Sequence, residues 1–560
     1  VNYGQAKAID LNLGENLTYN DVYAGFQFID KAKFAEKYTA ISDIKDSDKA
    51  PVNITIKKAG EAKRGDAEKH TVSMLEKVLP SETLTIETSL ADGKVLDLQE
   101  GCTVIVKSGV KDIKAKIGKK DVTLEASDTY TVKDGKLVGS VAKIGDTNYA
   151  SLEEAIAAAE KNGTIKMLQD IDIETPITIS KSINLDLNGH VITGAEASNI
   201  NKTIVLNGAD ATLTIEDTSS EKKGEITSHD NGTTPRVLSV EKGNLILNNG
   251  TITTKGLTVA GSAVFLGKDT TFVMNGGKID TPSSSVKQIG VNVGSSGASF
   301  NLKNGDITSE YGDCISLSAG AALKMEGGTV TNSGELGTAS ALSGAMSRDT
   351  KVNISGGRLE GKNYAIYSGQ HNEIKLSGGT YIGKLKLDNT QFASITGGTF
   401  STNPSAYVVK DYAVNKTDKG YNVVKATDAA GEAFIGNTYY KTLADAIEAA
   451  KEKDTVKLNK DVQVTMTAQN TAAILIDKNI TLDGNGKTIT ATGDTKAIGH
   501  VIEVSNGVKA AVKNLTIDGN QIAKHGIQVY SKEEPQSEAK VTSVTVKNCT
   551  GYGFMITGRS

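Results

Sequence analysis

Between residues 245 and 400, apolar positions recur in a fixed relation to a turn glycine. The stretches NLILNNGTITT, TFVMNGGKIDT, SFNLKNGDITS, ALKMEGGTVTN, KVNISGGRLEG, EIKLSGGTYIG and ASITGGTFS carry the pattern in order. Anchored on Gly250, Gly277, Gly305, Gly328, Gly357, Gly379 and Gly398, the steps are 27, 28, 23, 29, 22 and 19 residues, about 25 on average. The positions five before, three before and two after each glycine are apolar or small, as in Phe272, Met274 and Ile279 or Val352, Ile354 and Leu359. Apolar residues two apart describe a strand with one buried face. The glycine then supplies a sharp bend at little steric cost, and the apolar face resumes. A strand, a bend, a second strand and a loop of drifting length predict one coil of a parallel β-helix. At about 4.8 Å per coil, roughly ten coils make a rod about 50 Å long. Propeller blades of about 40 residues or more do not fit this step.

A second period interrupts the first. In YASLEEAIAAAEKNG, Ser151 is an N-cap, Glu154 completes a capping box, and Leu152, Ala155, Ile156 and Ala159 form a helical stripe. Asn162-Gly163 ends it. The same elements return in YKTLADAIEAAKEKD: Thr442 and Asp445 in the cap, then Leu443, Ala446, Ile447 and Ala450. The offset is 291 residues and holds as far as Asp170 and Asp461. After six inserted residues it becomes 297, which aligns LDLNGHVIT with LDGNGKTIT. The terminal coil of a β-helix exposes an apolar core and unpaired backbone groups. An amphipathic helix covers both, so each helix is expected to be the lid of a β-helix.

The expected fold is therefore all-β, with two right-handed parallel β-helices in tandem, each opened by a capping helix. Residues 139–425 form the first, with its helix at about 151–161. Residues 426–560 form the second, with its helix at about 442–452, and this one stops soon after it starts. The natural protein is expected to continue beyond Ser560. Residues 1–138 lack the glycine pattern and read as a β-rich or α+β domain. FIDKAKFAEKYTAI is a candidate short helix there, and the lysine-rich KSGVKDIKAKIGKK is a solvated strand face or a contact for an anionic wall polymer.

Composition narrows the partners. The 560 residues carry 62 Lys+Arg against 66 Asp+Glu, a net charge of −4, with no global signature for nucleic acid or an acidic membrane. Only Arg64, Arg236, Arg348, Arg358 and Arg559 offer the bidentate fork that phosphate recognition favours. The 58 Gly and 7 Pro suit tight turns between hydrogen-bonded strands. Cys102, Cys314 and Cys549 form neither a disulfide framework nor a metal spacing. No run reaches the roughly 18 apolar residues of a membrane helix.

The stretches IGDTNYASLEEAIAAA, GTIKMLQDI, KSINLDLNG, GGTFSTNPSAYVV and GYNVV resemble the large exported surface proteins of gut Firmicutes. The resemblance covers about residues 139–560. It implies right-handed, pectate-lyase-like β-helices at an extracellular bacterial surface, attached to the cell wall through regions outside this chain. Many such proteins are stalks, adhesins or binding scaffolds, so the leading expectation is engagement of a host glycan, mucin or host protein without catalysis, and without nucleic acid or membrane insertion.

The same fold class also hosts polysaccharide lyases and hydrolases. Those need an acidic Ca²⁺ cluster with a base, or paired carboxylates. Three sets of residues are candidates. Asp483, Asp518 and His525 on stacked coils of the second β-helix are the catalytic set. Asp306, Glu310 and Asp313 in one coil are the metal set, with Ca²⁺ as the ion it would take; no other cofactor is implied. His229, Asp230 and Arg236 in a long insertion, with Tyr311, are the ligand-binding set. None reproduces the NTD, DD, GHG and RIK motifs of polygalacturonases, and Asp and Asn also cap tight bends. A purely structural spacer is the third expectation. The 17 Tyr can stack on sugars although Trp is absent.

Overall fold

The structure, a computed structural model, describes residues 8–11, 53–56, 77–78, 83–86 and 95–558, except 108, 112, 126–127, 195–200, 230–232, 335–336, 345–347, 370, 388–391, 468–470, 494–497 and 533. The candidate helix in FIDKAKFAEKYTAI and Asp230 lie outside these residues. The fold is all-β, a right-handed β-solenoid of about 13 turns with 5% of the residues helical. The chain divides into two compact units, Val1–Ser228 with Asn248–Thr251 and His229–Leu247 with Ile252–Ser560.

The first unit begins with parallel pairing that needs no paired glycines. Strands Asn53–Ile56, Thr83–Ile86 and Thr103–Val106 stack in register, so that Ile54, Leu84 and Val104 form one row and Ile56, Ile86 and Val106 the next. Leu96–Leu98 pairs in parallel with both Lys77–Val78 and Ile113–Ile117. The two sheets share a core that includes Val78, Leu98, Cys102 and Ile113. Lys114 and Lys116 alternate with buried Ile113 and Ala115 and face solvent. The lysine-rich stretch is thus the outer face of a strand.

The hairpin Ala142–Ile144 and Thr147–Tyr149 leads into helix α1, Leu152–Ala158. Ser151 Oγ accepts from the Glu154 amide at 3.1 Å, and Leu152, Ala155 and Ile156 are buried. The helix is one turn shorter than expected, because Ala159 already has extended backbone angles. Lys181, from the following coil, donates its ammonium to the Ala157 carbonyl at 2.9 Å and also to that of Ala159. The last-turn carbonyls therefore have a cation as partner, which also suits the negative end of the helix dipole. Beyond the helix, Ile165, Leu185 and Ile215 stack in register and are buried.

The second unit carries the glycine-anchored coils. Leu245, Phe272, Phe300, Leu323, Val352, Ile374 and Ala393 form one continuous row across seven strands. A second row runs Leu247, Met274, Leu302, Met325, Ile354, Leu376 and Ile395. Every residue of both rows is buried. Each fully buried large side chain contributes about 1.5–3 kcal/mol. Where aromatics meet in a row they stack: Phe272 on Phe300 with centroids 4.8 Å apart and Tyr381 on Phe400 at 4.6 Å. In-register coils make this offset-stacked geometry automatic.

The turn glycines also form a ladder. Arg358 N donates to Gly328 O, Thr380 N to Gly357 O and Thr399 N to Gly379 O, each at 2.9 Å. In the pair Gly356-Gly357 the two residues serve different ends. Gly357 has φ +83°, the left-handed region that Cβ disfavours. Gly356 has no such angle, but a Cβ there would lie 2.2 Å from the Glu326 carbonyl oxygen of the preceding coil. The second glycine turns the chain, and the first lets two backbones touch.

Helix α2, Leu443–Ala449, follows the hairpin Ala433–Ile435 and Thr438–Tyr440. Here both halves of the capping box are formed, Thr442 Oγ1 with the Asp445 amide at 3.1 Å and Asp445 with the Thr442 amide at 3.2 Å. Lys478 donates to the Ile447 carbonyl at 3.1 Å and to that of Glu448, the counterpart of the Ala157 carbonyl that Lys181 meets. Asn485 donates to Leu458 O at 3.1 Å, and Asn188 to Met167 O at 2.9 Å. The 291- and 297-residue offsets are thus repeated at the level of single hydrogen bonds.

Gly356→Ala is expected to lower stability by 2 kcal/mol or more, since backbone must move to admit the methyl group. Gly337→Ala, at a site with open space, should stay within about 0.5 kcal/mol. Chemical denaturation of both variants checks the pair; equal effects would break the assignment of Gly356 to a close backbone approach.

Candidate functional site

The acidic members of the catalytic set, Asp483 and Asp518, lie in Asp-Gly-Asn turns. Asp483 ends the strand Thr481–Asp483, and Asn485 follows in the left-handed conformation at φ 53°. Asp483 Oδ1 accepts from the Asn485 amide at 2.9 Å and from Asn514 Nδ2 at 3.1 Å, while Lys513 Nζ stands 3.5 Å from Oδ2. Asp518 repeats this one coil on. It accepts from the Asn520 amide and from Asn548 Nδ2, both at 2.9 Å, with Lys547 Nζ 3.3 Å away. Within the first unit, Asp186 likewise accepts from the Asn188 amide at 3.0 Å, and Lys166 lies 3.6 Å away. Asp217 accepts from three backbone amides, those of Gly189, Ser219 and Gly224.

These bonds set the proton affinities. At Asp483 burial raises the pKa, but the Asn485 amide, the Asn514 amide group and Lys513 outweigh it and hold the carboxyl below its ordinary value. At Asp518 the Asn548 side chain is the largest cause, and the shift is again downward. A general acid needs the opposite shift, and a general base works best near the operating pH. Carboxylates saturated by donors and held deprotonated are turn staples.

The register also separates the catalytic candidates. Asp483 pairs with Lys513, whereas Asp518 pairs with Thr490 and Lys547. The strand Lys509–Asp518 that links the two rows bends at Asn514, with φ 52°. His525 opens a third strand and is buried between His500 and Tyr552, with centroids 6.1 and 5.4 Å away. The three residues lie in three separate rows.

The metal set is dispersed too. Asp306 opens the strand Asp306–Ser309, Glu310 follows it, and both are exposed. Asp313 is buried, accepts from both the Ser340 amide and Oγ at 3.0 Å, and has Lys287 Nζ 3.7 Å away. Burial is the main influence on Asp313 and raises its pKa despite Lys287 and Ser340. Among the described residues, no three His, Cys, Asp or Glu come together as a group able to hold a metal ion. Of the ligand set, His229 is exposed and Tyr311 half-buried. Arg236 opens the strand Arg236–Leu247 with its guanidinium 3.4 Å from the Phe265 ring centroid. Desolvation lowers its pKa, countered by Glu241.

One cluster escapes the sequence patterns. On the outward side of strands Arg358–Ser368 and Thr380–Leu387, Tyr364 pairs with Lys384 and Tyr367 with Lys386. The tyrosine rings meet edge to face at 4.9 Å. Lys386 Nζ stands 4.4 Å from the Tyr367 centroid and 2.9 Å from its hydroxyl, and Lys384 Nζ is 6.0 Å from the Tyr364 centroid. Cations and phenols on one face suit an anionic, hydroxyl-rich ligand. The alternation in GKLKL was the available signal; in KNYAIYS a register shift between Tyr364 and Ile366 breaks it.

No helix of the described residues is long and apolar enough to cross a membrane. Neither a scan against protein-family models nor a search of curated proteins finds a match for this chain.

Asp483→Ala should cost about 0.5–1.5 kcal/mol, the net worth of the hydrogen bonds it accepts from the exposed Asn485 and Asn514. The folded pKa values of Asp217, Asp483 and Asp518 lie below the ordinary 3.8. Their stabilisation is therefore complete above pH 3.8 and lost as pH falls through the folded values. Acid unfolding followed by circular dichroism should begin at higher pH in Asp483→Ala; an unchanged midpoint would remove Asp483 from the stabilising set.

Proposed function

We propose that this chain is a non-enzymatic binding scaffold: an extracellular bacterial surface protein whose β-solenoid serves as a stalk and whose outer face engages a host glycan. The observation that carries this reading is the use of its acids. Asp186, Asp217, Asp483 and Asp518 are spent on turn amides, asparagine side chains and lysines, which takes these four carboxylates out of glycoside chemistry. The Tyr364–Tyr367–Lys384–Lys386 face supplies the binding chemistry, and a repetitive solenoid offers an extended surface for many weak contacts. The surface location, with attachment to the cell wall outside this chain, rests on the resemblance to exported Firmicutes proteins and their pectate-lyase-like β-helices.

Within this reading the chain holds two tandem β-helical modules, and α1 and α2 are their lids. Each helix buries one face, against the hairpin that precedes it, and each is pinned by a lysine of the next coil.

Two measurements test the proposal. The full chain on an array of acidic glycans and mucins should bind saturably and in a salt-sensitive way, and the double variant Tyr367→Ala, Lys386→Ala should bind at least about tenfold more weakly, a loss of about 1.4 kcal/mol. Product release from uronic-acid polymers, with or without Ca²⁺, would overturn the non-enzymatic reading. For the lids, Lys478→Met should lower stability by about 1–2 kcal/mol through the lost charge-assisted bonds, while Lys441→Met should be neutral within about 0.5 kcal/mol. Equal effects in denaturation would sink the lid assignment.

A further inference from the structure

Strands His500–Val504, His525–Ser531 and Phe554–Gly558 stack in parallel, with Ile502, Ile527 and Phe554 in one row. Two residues earlier, the same register places His500, His525 and Tyr552 in a column. The ring planes are close to parallel, 21° between the histidines and 10° between His525 and Tyr552. The imidazoles are only 3% and 4% exposed.

The hydrogen bonds fix the tautomers. His525 Nδ1 accepts from the Tyr552 amide at 3.0 Å, so it carries a lone pair and the ring proton is on Nε2. His500 Nε2 lies 3.0 Å from Glu503 Oε2, which makes it the donor to a carboxylate. His500 Nδ1 is then the unprotonated nitrogen, buried and without a hydrogen-bond partner among the described residues. In each ring an added proton can go only to Nδ1. At His525 that proton would face the Tyr552 N–H and abolish one of the bonds that tie the next coil, beside those of Gly526 N to Tyr552 O and Ile527 N to Gly553 O. At His500 it would find no acceptor, and two stacked cations would repel.

We infer that His500 and His525 form an acid-sensitive clasp: their protonation releases the coil that runs from Tyr552 to Gly558. The titratable and charged groups that face the pair are Glu503 on the strand of His500, Lys524 beside His525, and the Tyr552 phenol stacked on it. Glu503 favours charge on His500, and Lys524 opposes it on His525. Burial is the largest influence on both and lowers each pKa below the ordinary 6.5. The histidine pair thus binds more protons with the coil released than with it docked, between those lowered values and 6.5. The coil's stability rises with pH through that window and is lost as pH falls below 6.5. The loss begins below 6.5, whereas that of the carboxylates begins below 3.8, so as pH falls the clasp weakens first. It is independent of the ligand that the outer face binds.

Hydrogen exchange of the full chain, corrected for intrinsic rates and compared at pH 7.5 and 5.5, tests the clasp. The opening constant for amides 552–558 should rise by up to about tenfold per pH unit for each proton taken up. Amides of Ile183–Asp186 should not change. His525→Asn keeps an acceptor at the place of Nδ1, and His500→Gln keeps a donor to Glu503. The double variant should hold the coil at pH 7.5 and lose the pH dependence. Unchanged protection of amides 552–558 at pH 5.5 in the natural chain would refute the clasp. So would an equal loss in all coils, or full pH dependence in the double variant. Should the double variant fail to fold, the comparison of the two segments in the natural chain decides alone.

Discussion

Everything in this structure follows from in-register parallel stacking. Each coil presents to the next the same rows of apolar side chains, the same row of amides and the same turn. A row such as Phe272, Phe300 and Leu323 is buried from above and below by residues of its own kind. The constraint is severe at the bends, where successive backbones approach closely. Gly356 has no left-handed angle to explain it; the Glu326 carbonyl simply occupies the space where a Cβ would go. A slip of one residue would turn each apolar row outward. Register and turn chemistry are therefore one requirement, not two.

The same constraint decides the role of the acids. A bend exposes amides that the strand ladders do not use, and a carboxylate within reach satisfies several of them. Asp217 meets three, and Asp483 and Asp518 add an asparagine and a lysine from the adjoining coil. Once the donors are in place, the charge is stabilised and the proton affinity falls. A carboxylate used in this way is unsuited to proton transfer at neutral pH. The stacked acids Asp483 and Asp518 thus show how the turns of this solenoid are held.

The glycine-anchored coils were legible because their signal is local: two apolar positions, a bend and a third apolar position, all within eight residues. The duplicated helices were legible from caps and stripes, although Ala159 leaves the helix a turn early. The parallel pairing before residue 139 was not legible, because the chain turns there on single glycines such as Gly101 without the fixed spacing. The candidate site was less legible still. Sequence distance suggested that Asp483, Asp518 and His525 share a surface, but the bend at Asn514 puts the two acids in different rows. The Tyr364–Lys384 and Tyr367–Lys386 pairs arise only once the register across two strands is known.

Register also explains why one column can carry chemistry that its neighbours cannot. In most inward rows, stacking like on like is favourable or neutral, as for Phe272 and Phe300. A titratable side chain repeated in a buried row behaves differently, since the identity of neighbours that aids packing also places like charges together. His500 over His525 is stable only while both are neutral, and the Tyr552 amide enforces that state by occupying the nitrogen that a proton needs. The Asp turns escape this conflict by alternating acid with lysine and asparagine along the stack. The histidine column has no such alternation at its centre, which makes it the place where this solenoid responds to pH first.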